Sequence, residues 1–170
     1  MLETSRLILV PLTHEQLILF KNDPHALAKN LGVNYTDRQN DPAVVADIEE
    51  ATEFWINKTK EQADHYQWYT NWEIILKDER VAVGGVGFAG LPDEEGKSMI
   101  GYGLDIRFHG KGYASEAAKA LIKWGFDHEP LKEIIADTPL LNFPSHRVLE
   151  KNNFRESARD ENLIHWSLKR

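Results

Sequence analysis

The chain has 170 residues, no cysteine, 42% hydrophobic residues and a formal net charge of −7 at pH 7. That length and apolar content suit a single domain, 1–170, with a real core. The missing cysteine excludes a disulfide framework, a thiolate metal site and a cysteine nucleophile, and the acidic balance argues against broad nucleic-acid binding, which needs a basic surface.

In chain order, residues 6–10 (Arg-Leu-Ile-Leu-Val) read as a strand. Thr13 and Gln16 have the spacing of a capping box and open a helix through Leu17 and Phe20. Asp41-Pro42 reads as an N-cap followed by a first-turn proline. Val44, Val45, Ile48, Thr52, Trp55 and Ile56 then recur at helical spacing. Residues 72–76 and 81–88 form two strands joined by the polar turn Lys77-Asp78-Glu79, and 99–106 form a further strand after a turn at 92–97. Next comes a glycine loop and a helix whose apolar stripe is Ala114, Ala117, Ala118, Leu121, Ile122 and Gly125. Residues 133–137 make a short strand, Asn142-Phe143-Pro144-Ser145 opens a last helix, and 154–156 and 163–168 close the chain as strands. Consecutive strands imply hairpins, and strand-helix-strand after Met99 implies a parallel crossover. The expected fold is α/β (α+β): a mixed, mostly antiparallel twisted sheet with helices on both faces.

No apolar run approaches the ~20 residues that span a bilayer, and the opening six residues carry no secretory pattern. The expected location is the cytoplasm, without membrane or nucleic-acid partners. Charge is unevenly spread. Residues 106–124 set Arg107, Lys111, Lys119 and Lys123 against Glu116, whereas 37–64 hold eight acids and three bases. Solvated helix faces account for both segments equally well.

The loop His109-Gly110-Lys111-Gly112-Tyr113-Ala114 carries the most information. Two glycines in four residues leave little side chain over a helix's first turn, where backbone N–H groups lack helical partners and can point at an anion. Lys111 adds a positive charge. The loop is no Walker A motif, since Gly112 follows Lys111, and no dinucleotide fingerprint, since Ser115 stands at the last glycine position. These failures argue against a nucleotide-binding protein of another class.

The run Ile100-Gly101-Tyr102-Gly103-Leu104, then His109 to Ala117, then Trp124-Gly125-Phe126, resembles the Gcn5-related N-acetyltransferases (GNAT). It looks most like the branch that contains the ribosomal-protein N-terminal acetyltransferases. Asn142-x-x-Ser145-x-x-Val148-Leu149-Glu150-Lys151-x-x-Phe154 resembles that branch's second cofactor segment, and Glu3-Thr4-x-Arg6-Leu7-x-Leu9 its first strand. The resemblance implies acetyl-CoA as co-substrate. Backbone at Tyr102, Gly103 and Leu104 would pair with the pantetheine arm like an added strand. Residues His109, Gly110, Lys111, Gly112, Tyr113 and Ala114 would hold the pyrophosphate, and Asn142 would contact the arm. Gly101 and Gly103 would admit a bulge, or close backbone packing. The family's pattern has Gln or Arg where His109 stands; Arg107 is a candidate for the missing cation.

The implied reaction is direct attack of a primary amine on the thioester. The acceptor would be an amine-bearing small molecule, a peptide or a protein N-terminus, with a homodimer among the assemblies allowed. An α-amine near pKa ~8 is neutral about a tenth of the time at pH 7, a lysine near ~10.4 far less, which favours a low-pKa amine. Ser145 is the candidate catalytic acid for the leaving thiolate; a capping serine is the competing role. No base is evident, since Met99 stands where many relatives carry glutamate. Glu73 and Asp105 are candidates through a water, with a surface or turn role as the alternative. Tyr102 either lines the acyl site or packs. Trp55, Tyr66, Trp68, Tyr69 and Trp72 are either an acceptor wall or core. The histidines have no metal-ligand spacing, so no metal is expected. A non-catalytic acyl-CoA sensor of the same fold is the alternative function.

Overall fold

The computed structural model describes residues 1–170, the side chain of Ala43 excepted. Its strands are β1 (Leu2–Glu3), β2 (Leu7–Pro11), β3 (Trp72–Leu76), β4 (Val81–Phe88), β5 (Lys97–Leu104), β6 (Glu133–Pro139), β7 (Arg155–Arg159) and β8 (Leu163–Lys169). Its helices are α1 (His14–Asn22), α2 (Pro24–Leu31), α3 (Val45–Glu61), α4 (Tyr113–Phe126) and α5 (Phe143–Lys151). All eight strands join one sheet in the order β1-β2-β3-β4-β5-β6-β8-β7. The β5–β6 pair is parallel and is bridged by α4, as the strand-helix-strand pattern requires; the other neighbours are antiparallel.

The main core lies on one face of the sheet. Alternation along β3 turns Trp72, Ile74 and Leu76 toward Ala117, Ala118 and Leu121 of α4. Trp124 meets Trp68 at 4.8 Å and Trp72 at 5.0 Å between ring centroids, and Phe88 lies beside them. Helices α1, α2 and α3 cover the reverse face through a second cluster of Leu12, Leu17 and Leu27 with Phe20 and Trp55 packed against it.

Local signals set most boundaries. Thr13 and Gln16 form the expected capping box. Helix α2, absent from the sequence reading, carries recognisable ends: Asp23 accepts from the Ala26 N–H, Pro24 occupies the first turn, and Gly32 closes it at φ +66°. Helix α3 begins at Val45 rather than at Pro42, because a 3₁₀ turn, Pro42–Val44, intervenes. Strand β5 ends at Leu104 and not at Ile106, because the Asp105 carboxylate accepts from the Arg107 N–H and starts another 3₁₀ turn.

Trp72 is 1% exposed and packs on Trp124, the ring at the centre of the aromatic cluster. Trp72→Ala should lower the unfolding free energy by about 3–5 kcal/mol, read from urea denaturation of the full chain.

Candidate active site

Strands β5 and β6 pair at only three positions, the last being Met99 with Ile135. Beyond it β5 stays with β4 while β6 follows β8, so the sheet opens into a V. The Met99 carbonyl accepts from Ala89 and the Asp105 N–H donates to Val83. By strand alternation the N–H and C=O groups of Tyr102 and Leu104 therefore face the open edge, and those of Gly103 face β4. A linear amide chain can be received on this edge as an added strand. Gly103 contributes no edge group; its part is the space above it.

The open edge leads to the glycine loop. Gly110 (φ +74°) and Gly112 (φ +82°) adopt left-handed backbone that side-chain-bearing residues rarely take. The first helical bond of α4 runs from the Glu116 N–H to the Gly112 carbonyl. Among the described residues, the amides of Gly110, Lys111, Gly112, Tyr113, Ala114 and Ser115 have no backbone acceptor, the arrangement that suits an anion. His109 Nε2 lies 3.0 Å from the Leu104 carbonyl, to which it donates, so that ring hydrogen is committed within the protein. Arg107 is not aimed at the loop. Its guanidinium binds Asp105, Thr36 Oγ1 and the Asp37 carbonyl.

The N-terminal segment anchors this loop, a link the sequence reading missed. Glu116, in the first turn of α4, accepts from Thr4 Oγ1 (2.6 Å), Ser5 Oγ (3.1 Å), the Arg6 N–H (3.0 Å) and Arg6 Nε (2.7 Å). Arg6 also donates to the Lys111 carbonyl and lies over the Tyr113 ring. Burial acts to raise the Glu116 carboxyl, but the hydrogen bonds from Thr4, Arg6 and Ser5 outweigh it and hold it down at about 2.

Asn142, not Ser145, caps α5: Asn142 Oδ1 accepts from the Ser145 N–H at 3.2 Å. The Ser145 hydroxyl lies 2.8 Å from Tyr102 Oη, so the pair bridges the V from β5 to the start of α5. Burial pushes the Tyr102 hydroxyl up to about 12, with the Ser145 bond opposing, so it keeps its proton at neutral pH.

The reverse face holds a cavity of about 680 Å³ between β3–β5 and α1–α3. Directly paired residues share a face, which places Glu73, Gly85 and Gly103 in one row and Gly87 and Gly101 in the next. A Cβ at Gly101 or Gly103 would meet nothing within 4 Å. The β4–β5 register is unbroken, so these two glycines mark neither a bulge nor close packing; they leave the cavity floor bare. Glu73 is 1% exposed, pairs with Arg38 and accepts from Asn71 Nδ2 at 2.8 Å. Of the two carboxylates considered as bases, Glu73 lines the cavity and Asp105 does not. Hydrogen bonds from Arg107, opposed by burial, hold Asp105 down at about 2, which leaves it a poor base.

Segment 33–40 forms a strap along the cavity. Asn34 is tied to Arg80, Gln39 to Asp105 and Ile106, and Thr36 and Asp37 to Arg107. Of the five aromatics considered as an acceptor wall, Trp55 lines the cavity, whereas Trp68 and Trp72 are in the core on the other face. Sequence reasoning treated them together because nearness in the chain hides which sheet face a residue joins. Among the described residues, no group of three or more His, Asp or Glu is placed to hold a metal. His165 lies between Asp137 (2.7 Å) and Asp160 (3.1 Å), whose bonds raise it above the usual histidine range.

The chain belongs to the GNAT acetyltransferase family: the acetyltransferase (GNAT) domain model matches residues 6–155. It is 37% identical over 98 residues to the uncharacterized N-acetyltransferase YjdG of Bacillus subtilis (strain 168), a match covering 58% of each chain, so the chain spans under two thirds of that relative. The fold is similar to that of a GNAT-family acetyltransferase from Bacillus anthracis (TM-score 0.65, 24% identity, 99% and 97% of the two chains). It is also similar to that of ribosomal-protein-S5-alanine acetyltransferase from Vibrio fischeri (TM-score 0.66, 18% identity, 98% and 94%). Acetyl-CoA, the family's co-substrate, fits what is present: an open strand edge for its amide arm, running to unpartnered amides for its diphosphate.

Because Glu116 is held below its ordinary value of 4.5, its stabilising contribution is complete above that value and fades as pH falls toward about 2. The difference in urea midpoint between wild type and Glu116→Gln should therefore shrink across that acid window.

Proposed function

We propose that the chain transfers an acetyl group from acetyl-CoA to a primary amine of a small molecule, peptide or protein N-terminus, as a cytoplasmic enzyme. One observation carries this reading: the edge of β5, freed from β6 after Met99, runs straight to the amides of residues 110–115. Tyr102 and Leu104 would hold the pantetheine arm. The loop from His109 to Ala114 would hold the pyrophosphate, mainly through main-chain amides. Each hydrogen bond to a charged group contributes ~1.5–3 kcal/mol, and the helix end about 0.3–1 kcal/mol. Asn142 is engaged as a helix cap, so its side-chain oxygen serves α5 first.

Acetyl-CoA supplies an acetyl thioester. The acceptor ammonium gives one proton to solvent, its nitrogen bonds to the acetyl carbon, and the C–S bond breaks; the nitrogen loses a second proton as the amide forms, which balances the one the thiolate takes up to leave as the thiol. Ser145 is suited to protonate the departing sulfur. The single Tyr102 hydroxyl hydrogen has two acceptors, the Ser145 carbonyl (3.1 Å) and Ser145 Oγ (2.8 Å); when it goes to Oγ, the serine hydrogen is free to turn toward the V. Tyr102 thereby positions Ser145. The absence of glutamate at Met99 was the feature favouring a sensor without turnover. Glu73 now supplies a carboxylate beside the glycine floor, which favours catalysis.

Calorimetry should detect binding of acetyl-CoA, and thiol release should appear with an amine panel. Binding without release on any amine would favour the sensor. Ser145→Ala should lower kcat by roughly 10²-fold, the lower end of general-acid contributions, with acetyl-CoA affinity unchanged. Tyr102→Phe should lower kcat in the same direction by less.

A further inference from the structure

The reverse-face cavity constrains its occupant by shape and by charge. At about 680 Å³ it falls in the range, roughly 300–1,000 Å³, of clefts that enclose a drug-sized molecule. Phe20, Leu27, Leu31, Val33, Ile48 and Trp55 wall it with apolar surface. Its floor is bare at Gly101 and Gly103, on the strand that borders the V, so an occupant there lies against the backbone beside the acetyl site.

Charge within the cavity is one-sided. Glu73, Asp37 and Asp47 face it against the single cation Arg38. Asp37 and Asp47 are exposed, and Glu73 is buried in the row of Gly85 and Gly103. Glu73 accepts one bond on each oxygen, from Arg38 and from Asn71. A carboxylate has about four lone-pair sites, so two remain for a further donor.

Resting on the acetyl-transfer reading above, we propose that the acceptor is a small primary amine on an apolar, ring-bearing body. Its ammonium docks on Glu73 above the glycine floor, and its body lies between α1, α2 and α3. A polyamine carries no ring to lie against Phe20, Leu27 and Leu31, and its further ammonium groups would find their carboxylates, Asp37 and Asp47, only at exposed positions. A polypeptide would have to leave past the strap, which is pinned at Asn34, Thr36, Asp37 and Gln39.

The test is thiol release by the full chain under saturating acetyl-CoA with four acceptors: 2-phenylethylamine, tryptamine, spermidine and an alanine-initiated hexapeptide. The arylalkylamines should show kcat/KM at least ten-fold above the other two. Glu73→Gln should raise their KM about ten-fold while calorimetric affinity for acetyl-CoA stays within two-fold. Ala51→Phe, which narrows the cavity from α3 without touching the Glu73 pair, should raise KM for tryptamine more than for 2-phenylethylamine. Preference for spermidine or the peptide overturns the proposal, as does a folded Glu73→Gln protein with unchanged KM. Acetyl-CoA binding with acetylation of neither arylalkylamine overturns this acceptor class alone, whereas loss of acetyl-CoA binding itself overturns the transfer reading and this proposal together.

Discussion

The parting of β5 from β6 after Met99 is the constraint on which the rest of the molecule depends. A parallel pair that stayed together would satisfy its own backbone groups and leave no edge to offer a ligand. Here β6 is held by seven paired positions to β8 and β5 by five to β4, so each strand is drawn toward its other neighbour. The open edge is thus maintained by the sheet on either side of it. The same divergence separates the start of α4 from the start of α5, and Tyr102 bridges the gap to Ser145.

Two sets of polar contacts hold the rims of this opening. On the α4 side, Thr4, Ser5 and Arg6 converge on Glu116, which lies at the first turn of the helix carrying the unpartnered amides. A carboxylate at a helix N-terminus also complements the macrodipole, so this contact favours both the helix and the orientation of its loop. On the reverse face, Asp105 takes the Gln39 and Arg107 N–H groups and ties the strap to the end of β5. Asp105, at 1% exposure, therefore anchors both the strap and the chain's approach to the loop. Asp105 is tolerated in such a place because both its oxygens are bonded, Oδ1 to Arg107 and Oδ2 to Gln39 and Arg107.

The glycines of β4 and β5 serve the site through what they omit. A strand interior loses packing and backbone order at glycine; β5 accepts that loss at Gly101 and Gly103 to leave open space, and β4 accepts it at Gly85 and Gly87 to admit the Asn71 side chain and the Thr70 carbonyl. The opposite face of the same strands carries Val86, Phe88 and Ile100 in the core, so β5 is packed on one side and bare at its two glycines on the other. Glu73 sits where these conditions meet, in register with Gly85 and Gly103.

The order of strands and helices, the antiparallel hairpins, the single parallel crossover and the glycine loop with its following helix were legible in the sequence, because they rest on periodicity, caps and turn residues within short windows. Helix α2 had legible ends, Asp23-Pro24 and Gly32, but its eight residues make only about two turns, too few for a period to stand out. Tertiary structure alone decided which face each strand residue joins, and so sent Trp68 and Trp72 to the core and Glu73 to the cavity. It also decided the contacts of Glu116 with Thr4, Ser5 and Arg6, 110 to 112 positions away, and of Arg38 with Glu73, 35 apart. Such pairings follow from how the sheet twists and where helices land on it, and nothing in the local pattern of the chain records them.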